Sequence, residues 1–187
     1  MRSFQYIVSL LVVLFSFLFS TTVLAKDESA ANINLVFVTD LSGSMKTNNL
    51  VDPTRGFLHQ FVAELLVGDR VIMANFGTEI GVNNPINISD RNRQNDIATL
   101  DTVIDAYQFT ENYTYTSGAL FAACEAIKRQ SGPEVLILLS DGKEEIPPGS
   151  SAKWDDLSSS CSGIAIHVVA LTAASKPTLD RVGKELG

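Results

Sequence analysis

The chain has 187 residues, of which 14 are basic and 21 acidic, so its formal net charge is −7. This length suits a single domain with a sizeable buried core. An acidic chain without a run of Lys and Arg has no electrostatic footprint for nucleic acid, and it is poorly suited to anionic membrane surfaces. We therefore exclude nucleic acid as a partner.

The first 25 residues have the anatomy of a secretory signal peptide. Arg2 provides a positive start, residues 6–24 form an apolar run interrupted only by Ser and Thr, and Val23 and Ala25 place small side chains before Lys26. Cleavage would leave 13 basic and 21 acidic residues, a net charge of −8, in a secreted or periplasmic protein. The alternative is an uncleaved membrane anchor, since the run is just long enough to span a bilayer. The membrane is a partner only in that case.

Apolar runs and helical patterns alternate after a polar lead-in at 26–32. Near-continuous apolar runs rich in β-branched residues are typical of parallel strands covered on both faces, and apolar side chains at helical spacing predict helices. The alternation predicts a three-layer α/β/α sandwich with a mainly parallel sheet over residues 33–187. In chain order the predicted elements are strand 33–39, helix 54–66, strand 70–76, an edge hairpin within 80–88, helix 90–106, helix 117–129, strand 134–140, a weak helix 155–162, strand 164–171 and helix 177–186.

The cysteines and histidines do not form a zinc pattern. Cys124 and Cys161 are the only cysteines, and in an exported protein such a pair suggests a disulfide. Two buried free thiols are the alternative. We expect His167, in the middle of a predicted strand, to be a structural histidine, and His59 to lie on a solvated helix face.

The first predicted strand leads into a turn with three oxygen-bearing side chains. Asp40-Leu-Ser-Gly-Ser44 places a carboxylate and two hydroxyls at alternate positions, where compact backbone can point them inward. Gly43 lets the backbone bend between the two serines. A turn of this composition can wrap a small hard cation.

Two further segments reach the same edge of the predicted sheet. The third apolar run ends at Asp141-Gly142, and Thr114 and Thr116 precede the helix at 117–129. Ligands of open α/β sheets bind outside the carboxyl ends of the strands. Oxygen ligands with few carboxylates favour Mg²⁺, with Mn²⁺ second. The predicted metal ligands are Asp40, Ser42, Ser44, Thr114 and Asp141.

Simpler interpretations of the single residues stay open. Asp40 could cap a helix, Asp141-Gly142 could form an ordinary turn, and the Thr116 hydroxyl could support a ligand without being one. Trp154 and the pair Tyr113 and Tyr115 could line a partner site or simply pack.

The three segments resemble the metal ion-dependent adhesion site of von Willebrand factor type A (VWA) domains. The matching residues are Asp40-Leu-Ser-Gly-Ser44, Thr114-Tyr-Thr-Ser-Gly-Ala-Leu120 and Leu139-Ser-Asp141-Gly142, in the order of the family. The resemblance implies that Ser42, Ser44 and Thr114 bind the metal directly, and that the two aspartates hold it directly or through water. It also implies that an Asp or Glu of a partner protein fills the open position. Residues 134–145 and 166–171 are similar to VWA domains of calcium-activated chloride channel regulators and of bacterial exported proteins.

Two features depart from the family pattern. Asn112-Tyr113 stands where the family often has Gly-Gly, which predicts a stiffer loop before Thr114. The sequence also stops at Glu185-Leu186-Gly187, where the family continues into a final strand and helix. We therefore expect a truncated domain, or a fragment, without the affinity switch of the integrin relatives.

The favoured function is a secreted or extracytoplasmic protein-binding module for adhesion or assembly. A structural domain with a non-functional metal site is the alternative. A metal-dependent hydrolase is less consistent with the sequence: Ser42 stands where haloacid-dehalogenase-type phosphatases need a second Asp, and Ser44 lacks the Gly-x-Ser-x-Gly elbow of serine hydrolases. We therefore expect no enzymatic activity.

Overall fold

A computed structural model describes residues 32–128, 132–142, 144–172 and 180–184. Within these ranges no helix is both long and apolar enough to cross a membrane. The predicted signal peptide at 1–25 and most of the lead-in at 26–32 lie outside the described residues, so both domain boundaries stay predictions.

One six-stranded sheet forms the centre of the described domain. Four strands run parallel in the spatial order β2-β1-β5-β6, and β3 and β4 pair antiparallel with β2. This confirms the predicted mainly parallel sheet. The strands are β1 (Asn34–Asp40), β2 (Arg70–Phe76), β3 (Ile80–Val82), β4 (Ile86–Asn87), β5 (Glu134–Ser140) and β6 (Ala165–Ala170).

The described helices agree with the predicted ones within a few residues, apart from α1. This short helix follows the first strand directly, in the segment predicted only as a turn. Residues 180–184 are also helical, inside the predicted helix 177–186. The helices are α1 (Gly43–Thr47), α2 (Val51–Ala63), α3 (Arg93–Asp105), α4 (Thr116–Ile127) and α5 (Trp154–Ser160).

Alternate side chains of the central strands fill two hydrophobic cores. Leu35 and Phe37 of β1 pack in the core that includes α2 and α3, whereas Val36 and Val38 pack in the core that includes α4 and α5. Successive strand residues point to opposite faces, so a strand covered on both sides must be apolar throughout. The structure therefore confirms the three-layer α/β/α sandwich.

Two details of the sheet differ from the sequence prediction. The sequence predicts that β6 is buried on both faces, but its residues are partly or fully exposed, because among the described residues it ends the strand order and pairs with β5 alone. His167 in this strand is accordingly exposed rather than a buried structural residue. The 80–88 segment does not pair with itself: β3 and β4 both pair along β2, and Asn83 donates its N–H to the Met73 carbonyl between them (3.0 Å).

Cys124 and Cys161 form a disulfide. The bond joins α4 to the residue that follows α5, and both cysteines are buried in the core on that face. Of the two alternatives that the sequence left open, the structure therefore shows the bridge.

The strand order creates a crevice beside the end of β1. From β1 the chain crosses to β2 on one side, and the later strand β5 pairs with β1 on the other side. At such a topological switch point the connections leave in opposite directions, which opens a space outside the carboxyl ends of the two strands. Asp40 ends β1 and Ser140 ends β5, so both lie at this crevice.

Candidate metal centre

Asp40 is fully buried and organises the turn that follows β1. One carboxylate oxygen accepts the backbone N–H of Ser42 (2.8 Å), and the other accepts the hydroxyl of Ser140 (2.7 Å). Ser42, not Asp40, occupies the N-cap position of α1, and it makes no side-chain capping bond. Asp40 is therefore not a helix cap. It ties the turn after β1 to the end of β5.

The environment of Asp40 raises the pKa of its carboxyl group above the ordinary value. Burial is the main cause, and the charge of Asp141 acts in the same direction, whereas hydrogen bonds from Ser42 and Ser140 lower the pKa. A divalent cation close to this carboxyl would favour its charged form.

A chain of hydrogen bonds links the two serines to Asp141. The Ser42 and Ser44 hydroxyl oxygens lie 2.9 Å apart, and Ser44 donates to one carboxylate oxygen of Asp141 (2.8 Å). The side-chain amide of Asn48 donates to the other oxygen of Asp141 (2.7 Å). Asp141 is thus part of a polar cluster and not only a residue of a turn.

Thr114 is held at the same place by a short antiparallel pairing. Its N–H donates to the Glu145 carbonyl (3.1 Å), and the N–H of Glu145 donates back to the Thr114 carbonyl (2.9 Å). A Cβ atom built on Gly142 would lie 3.8 Å from the Thr114 hydroxyl oxygen and 4.0 Å from an Asp40 carboxylate oxygen. Thr114 is therefore beside the two aspartates, even though Asn112-Tyr113 precedes it in place of Gly-Gly.

Glu144 attaches the loop after β5 to the start of α4. Its carboxylate accepts the backbone N–H of Ser117 (2.9 Å) and also the Ser117 hydroxyl and the Trp154 indole N–H. Ser117 belongs to the first turn of α4, where backbone N–H groups lack helical partners and favour negative charge. This attachment supports the adjacent pairing of Thr114 with Glu145.

The clustered residues surround a cavity of about 420 Å³. Asp40 and Thr116 are both buried and do not line the cavity. Trp154 and Tyr115 are buried as well, so neither forms a wall for a partner. Four of the five predicted ligands line the cavity, and the complete lining is Ser42, Gly43, Ser44, Asn48, Glu111, Asn112, Thr114, Asp141, Gly142 and Glu145.

Sequence reasoning missed two glutamates in this lining. The backbone of Glu111 pairs beside the first turn: its N–H donates to the Leu41 carbonyl (3.1 Å), and its carbonyl accepts the N–H of Gly43 (2.8 Å). Its carboxylate accepts the N–H of Thr78 (3.2 Å). No local motif marks Glu111. Glu145 lies in the loop after β5, and no local motif marks it either.

The donors around the cavity suit a hard cation. They are carboxylate and hydroxyl oxygens, and the described residues contain no group of three or more His, Cys, Asp or Glu side chains that could hold a metal. A cation site here would therefore depend on hydroxyl ligands. The Thr114 side chain supports this, since it is 5% exposed and its hydroxyl has no hydrogen-bond partner among the described residues. Such a donor set is appropriate for Mg²⁺ or Mn²⁺.

The sequence profile of the von Willebrand factor type A domain matches residues 34–186. The chain belongs to this family. The resemblance found in the three sequence segments is therefore confirmed for the VWA family as a whole. The adhesion-site metal and the narrower kinship with chloride channel regulators stay predictions. No curated protein sequence matches this VWA chain at a significant level.

Several solved structures with the same fold are of bacterial proteins. An aerotolerance-related membrane protein from Bacteroides fragilis is 18% identical (TM-score 0.60, 74% of this chain and 67% of that one). The pilus adhesin SpaC from Lactobacillus rhamnosus GG is 15% identical (TM-score 0.60, 78% and 25%). A D319A mutant of the PilB minor pilin from Streptococcus sanguinis is 17% identical (TM-score 0.62, 86% and 57%). This VWA chain spans from a quarter to two thirds of these proteins, and identities this low establish the fold alone.

Proposed function

We propose that this VWA domain is an exported adhesion or assembly module that recognises an exposed Asp or Glu of a partner protein through a bound Mg²⁺ or Mn²⁺. The observation that carries the proposal is the Thr114 hydroxyl. Thr114 is 5% exposed and lines a polar cavity beside two aspartates and two serines, and its hydroxyl makes no hydrogen bond within the described residues. The hydroxyl is therefore available to a ligand that enters the cavity.

Each residue of the cluster would have a distinct part in holding the cation. Ser42, Ser44 and Thr114 would supply neutral oxygens, Asp141 a carboxylate that lines the cavity, and Asp40 a buried charge that also fixes the Ser42 backbone. When bound, such a cation supplies an electron-poor centre that attracts a carboxylate from outside. Asn48 and Ser140 would keep the two aspartates oriented.

The structural relatives support an adhesion or assembly role outside the cytoplasm. Two of them are a pilus adhesin and a minor pilin, and a third is a membrane protein. The predicted signal peptide at 1–25 supports the same location.

The residues around the cavity favour binding over catalysis. Neither His59 nor His167 lines the cavity. The Ser44 hydroxyl donates to the Asp141 carboxylate and lies 2.9 Å from the Ser42 hydroxyl, so both serines contact residues that would hold the cation. We therefore keep the prediction of no enzymatic activity.

Thermal unfolding with Mg²⁺, Mn²⁺ or chelator tests the proposal through a matched pair of variants. Thr114→Val and Thr116→Val each remove the hydroxyl of a buried threonine, but only Thr114 lines the cavity, whereas the Thr116 hydroxyl is enclosed without a hydrogen-bond partner among the described residues. A ligand at a hundred times its dissociation constant stabilises the folded state by about 2.7 kcal/mol. We expect the wild type and Thr116→Val to show this shift and Thr114→Val to lose most of it.

Unfolding in chelator distinguishes a variant that no longer binds the metal from a variant whose fold is less stable. Thr114→Val should unfold in chelator at about the wild-type temperature, since the Thr114 hydroxyl makes no hydrogen bond within the described residues that the substitution would break. Asp40→Ala should lose the metal response and also unfold earlier, because it leaves the Ser140 hydroxyl and the Ser42 N–H without their acceptor. If no ion raises the unfolding temperature of the wild type, the structural-domain alternative replaces this proposal.

A further inference from the structure

The cavity contains more negative charge than the predicted cation site accounts for. Besides Asp141 its lining includes Glu111 and Glu145, and no Lys, Arg or His is among the described lining residues. Two charges of a divalent cation would balance Asp40 and Asp141. The two glutamates would then remain as surplus negative charge around the position that an incoming carboxylate must reach.

Glu145 is the surplus carboxylate nearest to the predicted open position. Thr114 and Glu145 exchange both backbone hydrogen bonds, so they form a directly opposed antiparallel pair. The side chains of such a pair lie on the same face, with Cα atoms about 5.5 Å apart. Both residues also line the cavity. The Glu145 carboxylate therefore projects beside the unpartnered Thr114 hydroxyl.

The two glutamates differ in how firmly they are held. One carboxylate oxygen of Glu111 accepts the Thr78 N–H, and its side chain packs closely against Gly77. Glu145 is exposed, and its carboxylate makes no hydrogen bond or ion pair within the described residues. Glu145 is thus the one that can reach a group of the partner.

A partner carboxylate entering alone would approach two like charges, which disfavours binding. A positive side chain next to that carboxylate reverses the effect, because it offers Glu145 an opposite charge. Building on the function proposed above, we propose that the cavity selects proteins in which the recognised Asp or Glu stands next to a Lys or Arg, and that Glu145 binds the basic side chain.

Immobilised pentapeptides provide the probe, since no natural partner is needed. Their central Asp is flanked by lysines, glycines or glutamates, and a fourth peptide has a central Asn between lysines. Surface plasmon resonance in Mg²⁺ and in chelator measures binding of the wild-type protein and of Glu145→Gln, Glu145→Lys and Glu64→Gln. Glu64 is an exposed glutamate at the end of α2 that leads into β2, away from the carboxyl ends of the strands, so it controls for net charge.

We expect the wild type in Mg²⁺ to bind the lysine-flanked Asp peptide about fivefold more tightly than the glycine-flanked one, which is the upper end for one exposed ion pair. Glu145→Gln should reduce this preference to less than about twofold, and Glu145→Lys should shift it to the glutamate-flanked peptide. Glu64→Gln should keep the wild-type preference. The Asn peptide should not bind in either condition.

Several outcomes would overturn the proposal. Metal-dependent binding of all Asp peptides with equal affinity would refute the selectivity and leave the proposed function intact. If the preference for lysine persists in Glu145→Gln, or if the lysine-flanked Asn peptide binds as tightly as the Asp peptide, general charge attraction and not Glu145 explains the preference. A tenfold loss of Mg²⁺ affinity in Glu145→Gln, measured by calorimetry without peptide, would make Glu145 a metal ligand instead. If no Asp peptide binds in Mg²⁺, the proposed selectivity is rejected. Thermal unfolding of Thr114→Val with and without metal would still test the metal site independently.

Discussion

Gly77 lies where a side chain would collide with a residue of the cavity. A Cβ atom at this position would come within 2.2 Å of the Cβ of Glu111 and 2.3 Å of its Cγ. The first of these atoms is attached directly to the backbone and cannot swing away as a flexible side-chain end could. The absence of a side chain at Gly77 thus allows Glu111 to reach the Thr78 N–H next to the cavity.

Gly77→Ala should reduce the free energy of unfolding by about 1–3 kcal/mol, the usual cost of overpacking. Gly56→Ala is the matched control. Gly56 lies exposed inside α2 with nothing within 4 Å of an added Cβ, so alanine there should stabilise the protein by about 0.5–1 kcal/mol. Urea unfolding of both variants measures the two changes. If the two variants were equally stable, residues 77 and 111 could not be in close contact.

His59 connects two helices on one face of the sheet. It lies on α2, and its ring nitrogens contact two carboxylates of α3: Nδ1 lies 2.6 Å from Asp101 and Nε2 lies 3.1 Å from Asp105. The hydrogen bond to Asp101 is the main cause that raises the pKa of His59, and Asp105 adds to it against the opposing effect of burial. The side chain is 33% exposed, so the expected solvated face is only partly correct.

The raised pKa predicts that His59 stabilises the domain more at acidic than at alkaline pH. Its contribution is complete below the unfolded pKa of about 6.5 and disappears as the pH rises through the higher folded pKa. Because the pair is partly exposed, we expect a contribution below about 1 kcal/mol. His59→Gln should therefore lose more stability relative to the wild type at pH 5.5 than at pH 9, as measured by urea unfolding.

His167→Gln provides the control for this pH dependence. His167 is exposed on β6, and its side chain makes no hydrogen bond or ion pair within the described residues. As a surface substitution it should change the free energy of unfolding by less than about 0.5 kcal/mol. A loss of stability in His59→Gln that is equal at pH 5.5 and pH 9 would contradict the link between the two helices.

The disulfide acts at the scale of the whole domain. Cys124 and Cys161 are 37 residues apart, and the closed loop contains β5 as well as the segment that pairs with Thr114. Closing a loop of this length removes conformational freedom from the unfolded chain, which stabilises the folded state by about 4 kcal/mol in the chain-entropy model.

Removing both cysteines, as Cys124→Ala with Cys161→Ala, should therefore lower the free energy of unfolding by up to about 4 kcal/mol. Reducing agent should destabilise the wild type to a similar extent and leave the double variant unchanged. Guanidinium unfolding with and without reductant measures both effects. A wild type that unfolds identically in reductant would show that the bond contributes little.

The amino-acid sequence by itself determined the layers and the main site of this domain. Strands covered on both faces must be apolar along their whole length, so β1, β2 and β5 could be located within one residue. The carboxyl ends of parallel strands share one edge, so Asp40 and Asp141 were expected to lie together, as the structure shows. Both inferences depend on properties of short segments.

Only the tertiary structure decided the features that join distant segments. The pairing of Cys124 with Cys161, the exposure of β6 at the end of the strand order and the contacts of His59 with α3 depend on how elements pack. The same holds for Glu111, which reaches the cavity through backbone pairing with the turn after β1. A sequence pattern reports which face of an element is apolar, but the neighbours of that face are set by the balance of all packing contacts, and local residue types do not encode that balance.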